Sequence, residues 1–253
     1  MADQSLQLKI LSYNIHKGFS GGIAKYTLEK IRREIRILHP DLIFLQEVQG
    51  QHEGHKKRIP SWSDVPQFEY LAEDLWPHHT YGKNAVYSQG HHGNAILSKF
   101  PILSWENLDI SQNRFETRGF LHAVIELPGS SVPLHALCTH LGLFESDRKK
   151  QLKQLTNRIE SVVPKGDLLI ACGDFNDWRE NASQSLVHDL GFQEAFLSLH
   201  GRHAKTFPSW LPVMRLDRIY FRGFTPVSAI CMNHSPWDSL SDHVALSADL
   251  LLR

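Results

Sequence analysis

The stretch Leu168-Leu169-Ile170-Ala171-Cys172-Gly173-Asp174-Phe175-Asn176-Asp177-Trp178 opens on an apolar run, stops at a glycine and continues in short polar side chains. A short apolar run bounded by glycine predicts a buried strand. Polar groups at its end sit where α/β enzymes present their chemistry. Asp174 and Asn176 are two apart, so on extended backbone their carboxylate and amide aim the same way. An Asx-turn or a helix N-cap is the alternative reading, because Asp and Asn satisfy local backbone donors well.

The flanking sequence supplies the strand's neighbours. Residues 119–127 and 132–141 read as a hairpin around Pro128-Gly129-Ser130-Ser131, the second strand ending at His140. Residues 146–163 carry Leu152, Leu155, Ile159 and Val162 at helical spacing, and Pro164-Lys165-Gly166 stops that helix. Beyond the opening stretch, residues 183–190 predict a short helix with Gly191 as its C-cap. Strands follow at 216–224 and 244–252, with Ser241-Asp242-His243 between them.

The N-terminal third repeats the pattern. A strand over 6–15 ends in Asn14-Ile15-His16-Lys17, and Gly18, Gly21 and Gly22 mark a loop. A helix over 26–39 buries Leu28, Ile31, Ile35 and Leu38 and stops at Pro40. A strand over 41–48 carries Gln46 and Glu47 at its end, and strand–helix–strand predicts a parallel pair. Residues 49–89, rich in His, Trp, Pro and Gly, read as loops with one short helix over 68–75. His91-His92-Gly93-Asn94 then leads into a short strand, 95–98, which Pro101 breaks.

Composition narrows the classes. The 253 residues are 42% hydrophobic and 21% charged, which fits a soluble globular protein; no linker or repeat interrupts them, so residues 1–253 read as a single domain. Lys+Arg and Asp+Glu are 27 each, so no global positive field attracts nucleic acid or anionic membrane. Cys138, Cys172 and Cys231 have neither zinc nor disulfide spacing and read as buried thiols in a reducing compartment. No leader-like N-terminus or membrane-length apolar run is visible; a cytoplasmic, monomeric protein without an obligatory protein partner is the expectation.

Polar groups therefore recur where apolar strands end: Asn14, Glu47, His140, Asp174 with Asn176, Asp217, and Asp242 with His243. The wording YNIHKG, LQEV, HHGNAILS, THLG, GDFND, RLDRIY and SDH resembles the endonuclease/exonuclease/phosphatase superfamily over nearly the whole chain, most closely its uncharacterised bacterial members. The resemblance implies an α/β fold, a four-layer α/β/β/α sandwich of DNase-like type. Two mixed β-sheets would pack face to face with helices outside. It also implies a hydrolase acting on phosphate esters with Mg²⁺ or Mn²⁺.

That chemistry assigns tasks to the residues. A hard cation needs oxygen ligands, for which Glu47 is the first candidate and Asn14 and Asp242 the next. By resemblance Asp174 orients the attacking water, and Asp217 is the carboxylate partner of His243. Asn176, His140 and a protonated His243 suit the charge that grows on phosphoryl oxygens. Tyr81 corresponds by resemblance to a tyrosine near the phosphate. His16, Lys17, Arg118 and Arg179 are candidate substrate contacts, and a solvated-loop or surface role fits each of them as well. The leading expectation is a phosphodiesterase cleaving nucleic acid by in-line water attack. A phospholipid head-group phosphodiesterase comes second, suggested by the stretch Trp210 to Met214, and an inositol-phosphate phosphatase third. A catalytically silent binding module on the same fold is the remaining alternative.

Overall fold

A computed structural model describes residues 6–21 and 25–253, with the side chains of 181–185 excepted; Gly22 of the expected glycine loop lies outside them. In chain order the main elements are β1 Gln7–Asn14, α1 Leu28–Leu38, β2 Leu42–His52, α2 Glu53–Arg58, α3 Gln67–Ala72, β3 His78–Tyr87 and β4 Gly90–Ser98. Next come β5 Ile102–Asp109, β6 Gly119–Ile125, β7 Leu134–His140, α4 Glu145–Val162 and β8 Leu168–Asp174. The last are α5 Asn181–Leu190, β9 Gln193–Glu194, α6 Ala195–His200, β10 Asp217–Arg222, β11 Phe224–Cys231 and β12 Leu246–Leu252.

The strands form two six-stranded sheets, ordered β11-β12-β1-β2-β4-β3 and β5-β6-β7-β8-β10-β9. Both are mixed: β1–β2 and β7–β8 are parallel, each joined through a helix, and their other neighbours are antiparallel. Alternate residues of each strand meet between the sheets. Leu8, Ile10 and Phe44 from one sheet share a core with Ala136, Cys138, Ile170 and Cys172 from the other. The opposite residues meet the helices. Ile31 and Ile35 of α1 cover the first sheet, and Leu155 and Ile159 of α4 cover the second. This is the expected four-layer α/β/β/α sandwich. Burying one Leu or Ile side chain contributes about 1.5–3 kcal/mol, so period-2 and period-3.6 apolar patterns dictate which faces stack.

Three expectations need correcting. Residues 49–89 are not mainly loop: β2 runs on to His52, two short helices follow, and β3 pairs along β4. Strand β5 was not expected at all; it lies at a sheet edge and its side chains are half-buried or exposed, so it shows no apolar alternation. The single strand expected over 216–224 is split at Gly223, where φ is +87°, and β11 belongs to the other sheet. The chain therefore crosses between sheets without a change in hydrophobic pattern.

Gly173 lets the strand carrying the site lie against its neighbour. Its φ is +148°, and a Cβ there would sit 1.9 Å from the Thr139 carbonyl oxygen of β7. Gly173→Ala is expected to destabilise the fold by roughly 2 kcal/mol or more, read by urea denaturation. Gly166→Ala, whose Cβ would meet nothing within 4 Å, should stay close to wild type.

Candidate active site

Two adjacent strands finish, and a third begins, in register on the candidate residues. Asp174 of β8 lies beside His140 of β7 on one side and Asp217 of β10 on the other. Cys138, Cys172 and Ile219, two residues back along the same strands, face the inter-sheet core, so all three site residues face the other sheet. The other sheet answers with Asn14, the last residue of β1, whose Nδ2 donates to Asp174 Oδ2 at 3.3 Å. His140 Nε2 lies 3.4 Å and His243 Nε2 3.6 Å from that oxygen. The other ring nitrogen of His243 is 2.8 Å from Asp217 Oδ2. Ser241 Oγ donates to the Asn14 carbonyl at 2.7 Å, which fastens the Ser-Asp-His segment to β1.

The alternative turn reading of Asp174 describes one of its two oxygens. Oδ1 accepts the Asn176 backbone N–H at 2.9 Å, an Asx-turn, while Oδ2 faces Asn14 and the two imidazoles. Strand alternation does not set the direction of Asn176. The strand ends at Asp174, Asn176 is left-handed at φ +48°, and its Nδ2 donates to the Leu141 carbonyl at 2.9 Å.

Glu47 is aimed by a bulge. The pairing of β2 with β4 shifts register between Leu45 and Val48, and Glu47 takes φ +54° there. The preceding Gln46 stays between the sheets with Nε2 on Cys138 Sγ, and Glu47 turns into a small recess lined also by His92, Asn94, Arg118 and His140. Lys17 Nζ donates to Glu47 Oε2 at 2.6 Å. Burial would raise the Glu47 carboxyl, but the His140 imidazole and the Lys17 ammonium outweigh it and hold the group well below the usual carboxylate range. Asp242 lies at the other side of His16, whose Nδ1 is 3.8 Å from Asp242 Oδ1.

The two histidines around Asp174 are pushed apart in opposite directions. Burial and then the Arg118 guanidinium lower His140 to about 4, so it is neutral at pH 7. Burial also opposes charge on His243, but Asp217 and Asp174, with the hydrogen bond to Asp217, overcome it and raise it to about 10. One imidazole can thus hold a positive charge against a phosphoryl group while the other stays neutral.

Asn14, His16, Lys17, Glu47, Arg118, His140, Asp174, Asn176, Asp217, Asp242 and His243 are joined by these contacts into one region. Arg118 is fixed there by Nε on the Leu141 carbonyl and Nη2 on Glu116. Tyr81 stands behind it in the second rank: its hydroxyl bonds His91 Nδ1 at 3.0 Å and its ring stacks on Phe68. Arg179 is not brought in; it is 64% exposed and pairs with Glu145. Sequence reading passed over His92 and Asn94 as site residues, although both stand in the quoted HHGN stretch. Asn94 Nδ2 bridges to the Gly119 and Cys138 carbonyls of the opposite sheet. It also passed over Arg148, buried under the 142–143 loop with Nη1 on the Gly142 carbonyl, for which only a lone arginine in a helix was visible.

The family model described as the Endonuclease/Exonuclease/phosphatase family matches residues 11–243, which spans every residue of this region. The chain belongs to the endonuclease/exonuclease/phosphatase family. It is 41% identical over 254 residues to the protein YbhP of Escherichia coli (strain K12), with both chains covered completely. Its fold is similar to that of an endonuclease/exonuclease/phosphatase from Beutenbergia cavernae, at TM-score 0.74 and 20% identity, covering 97% of this chain and 72% of that one. It is similar also to the catalytic domain of human Nocturnin, at TM-score 0.73 and 19% identity, covering 98% and 94%. Family membership makes the chain a phosphate-ester hydrolase, in a family generally dependent on a divalent metal.

Oxygen or nitrogen atoms of Asp174, Asp217 and His243 lie within 4.8 Å of one another. That cluster is better occupied as a relay: both nitrogens of His243 already face carboxylates, and its positive charge opposes a cation. Glu47, Asn14 and Asp242 instead offer carboxylate and amide oxygens, the donors a hard cation takes, and Glu47 already has an ammonium against it.

The raised value of His243 has a consequence for stability. A group whose folded value exceeds its ordinary 6.5 contributes fully below pH 6.5, and the contribution is lost as pH rises toward 10. In EDTA, the wild-type melting temperature is expected to fall more steeply between pH 6.5 and 10 than that of His243→Gln. Parallel slopes would show that the imidazole carries no charge in the folded state.

Proposed function

We propose that this chain is a divalent-metal-dependent phosphodiesterase in which Asp174 orients the water that attacks phosphorus in line. The observation that supports it best is the placement of the Asp174 carboxylate. One oxygen is locked by a backbone N–H, and the other faces Asn14, His140 and His243 at the edge of the inter-sheet core. A carboxylate fixed this way holds a water without reorganising, and its hydrogen-bond partners keep it from rotating. Glu47, with Asn14 and Asp242, would hold a Mg²⁺ or Mn²⁺ ion, which supplies charge neutralisation at the phosphoryl oxygens when bound. His243, kept positive by Asp217, has its Nε2 3.6 Å from Asp174 Oδ2, too far for a hydrogen bond, and that N–H donates toward the charge that develops on those oxygens. Asn176 contributes its second amide hydrogen, the first being held by Leu141. Arg118, which lines Glu47's recess, adds positive charge there, its Nη1 held only by a 3.4 Å hydrogen bond to the Thr117 carbonyl.

The test uses a soluble aryl phosphodiester with Mg²⁺ or Mn²⁺. Turnover is expected, EDTA is expected to abolish it, and Asp174→Asn should lower kcat by about a thousandfold. Turnover that survives both EDTA and Asp174→Asn would overturn the mechanism.

For the substrate, nucleic acid remains the first reading: Phe144, which follows the 142–143 loop, and Trp210, which follows Ser209, are exposed and offer faces on which bases stack. A phospholipid head-group is a second reading, favoured by a specific feature of the same rim. Leu143 and Phe144 follow the Leu141 carbonyl that holds Asn176 and Arg118. Opposite them, Ser209 N donates to the Asp242 carbonyl, and Trp210, Leu211 and Val213 come next. All five are largely exposed, Trp210 at 72%. Trp210→Ser with Phe144→Ser separates the readings. Cleavage of phospholipid vesicles falling about tenfold or more, with the soluble diester unaffected, selects lipid. Vesicles left uncut by the wild type while single-stranded DNA or RNA is cut selects nucleic acid.

A further inference from the structure

A cavity of about 470 Å³ lies between α6, the chain around Arg202–Lys205, the segment at Pro212–Arg215 and the end of β11. Its wall carries His200, Arg202, Lys205 and Arg215, and no carboxylate. Arg215 has a partner outside the cavity, Glu180 at 3.2 Å, and His200 Nε2 is 2.9 Å from the Ala229 carbonyl oxygen. Among the described residues, no side-chain hydrogen bond or ion pair engages Arg202 or Lys205. Asn233 adds an amide, while Phe196 and Pro212 supply apolar surface.

Arg202 and Lys205 have no counter-charge of their own among the described residues and Arg215 has only Glu180, so the three repel one another, and an anion placed among them relieves that repulsion. Guanidinium forks bind phosphate bidentately, and the volume lies within the range of small-molecule sites. We propose that this cavity is a second anion site, separate from the Asp174 centre, that takes a phosphomonoester of nucleoside-monophosphate size. The phosphate lies among Arg202, Lys205 and Arg215, and the ring packs on Phe196 and Pro212.

The cavity backs onto the Asp217–His243 pair. Cys231 Sγ, on the cavity wall, donates to the Lys205 carbonyl at 3.4 Å. Thr206, next in the chain, receives the Asp217 backbone N–H on its hydroxyl at 3.4 Å. Arg215 precedes Asp217 by two residues. A ligand there touches the segments that hold the relay without entering the centre itself.

The test is calorimetric titration of the metal-free full-length protein, in EDTA, with adenosine 5′-monophosphate and, in parallel, inorganic phosphate. The same titrations are run on Arg202→Glu/Lys205→Glu. Both residues are exposed, so the variant should keep the wild-type melting temperature and aryl phosphodiester turnover. The nucleotide is expected to bind the wild type, more tightly than phosphate, and to lose about tenfold or more in affinity in the double variant. Backbone amide NMR signals of Cys231 and Asn233 should shift on binding. No binding to the wild type, or equal binding to the double variant, would overturn the proposal; the second result would place the anion at the Asp174 centre.

Discussion

A carboxylate buried between two sheets must be met on all sides, and the Asp174 carboxylate is met from both. Burying a charged group without partners costs several kcal/mol. Here Asn14 comes from one sheet, His140 from the other, His243 from the segment before β12, and a backbone N–H from the turn that follows. The site is thus one of the points at which the two halves of the sandwich are tied, with Asn94 and Gln46 making others. The Ser241 hydroxyl reinforces the tie by donating to the Asn14 carbonyl.

Two irregularities of backbone make that convergence usable. The bulge at Glu47 turns one side chain out of the pleat into the recess beside His140, although its neighbour Gln46 still faces the inter-sheet core. The left-handed Asn176 folds the chain back after β8, so that its amide reaches the Leu141 carbonyl and its N–H reaches Asp174. Positive φ at non-glycine residues costs energy and persists where surroundings fix it. Of the seven such residues among those described, Glu47, Asn176, His16 and Lys17 belong to the candidate site.

Buried histidine is not by itself a mark of this site. His122 and His135 lie on the outer face of the second sheet and form a hydrogen-bonded chain, Glu106–His122–His135–Asp167, in contact with Arg158 of α4. His203 pairs with Glu194 in a third place. What distinguishes His140 and His243 is a shared carboxylate at an edge where strands of both sheets end.

The sequence by itself determined the layers and most of the cast. Apolar runs and alternations identified β1, β6, β7, β8 and β12, period-3.6 runs identified α1 and α4, and polar residues at strand ends singled out Asn14, Glu47, His140, Asp174, Asp217 and His243 as candidates. These signals are local, and they are strong because both faces of central strands are buried. The edge strands β3 and β5 escaped for the opposite reason: their side chains are mostly half-buried or exposed on both faces, so neither an apolar run nor an alternation marks them. Only the tertiary structure decided three further things. It set the register that lays His140, Asp174 and Asp217 side by side, and the crossing at Gly223 that sends β11 to the other sheet. It also left Arg179 on the surface while holding Arg118 against Leu141. Each depends on contacts between residues far apart in the chain, which no spacing along it can express.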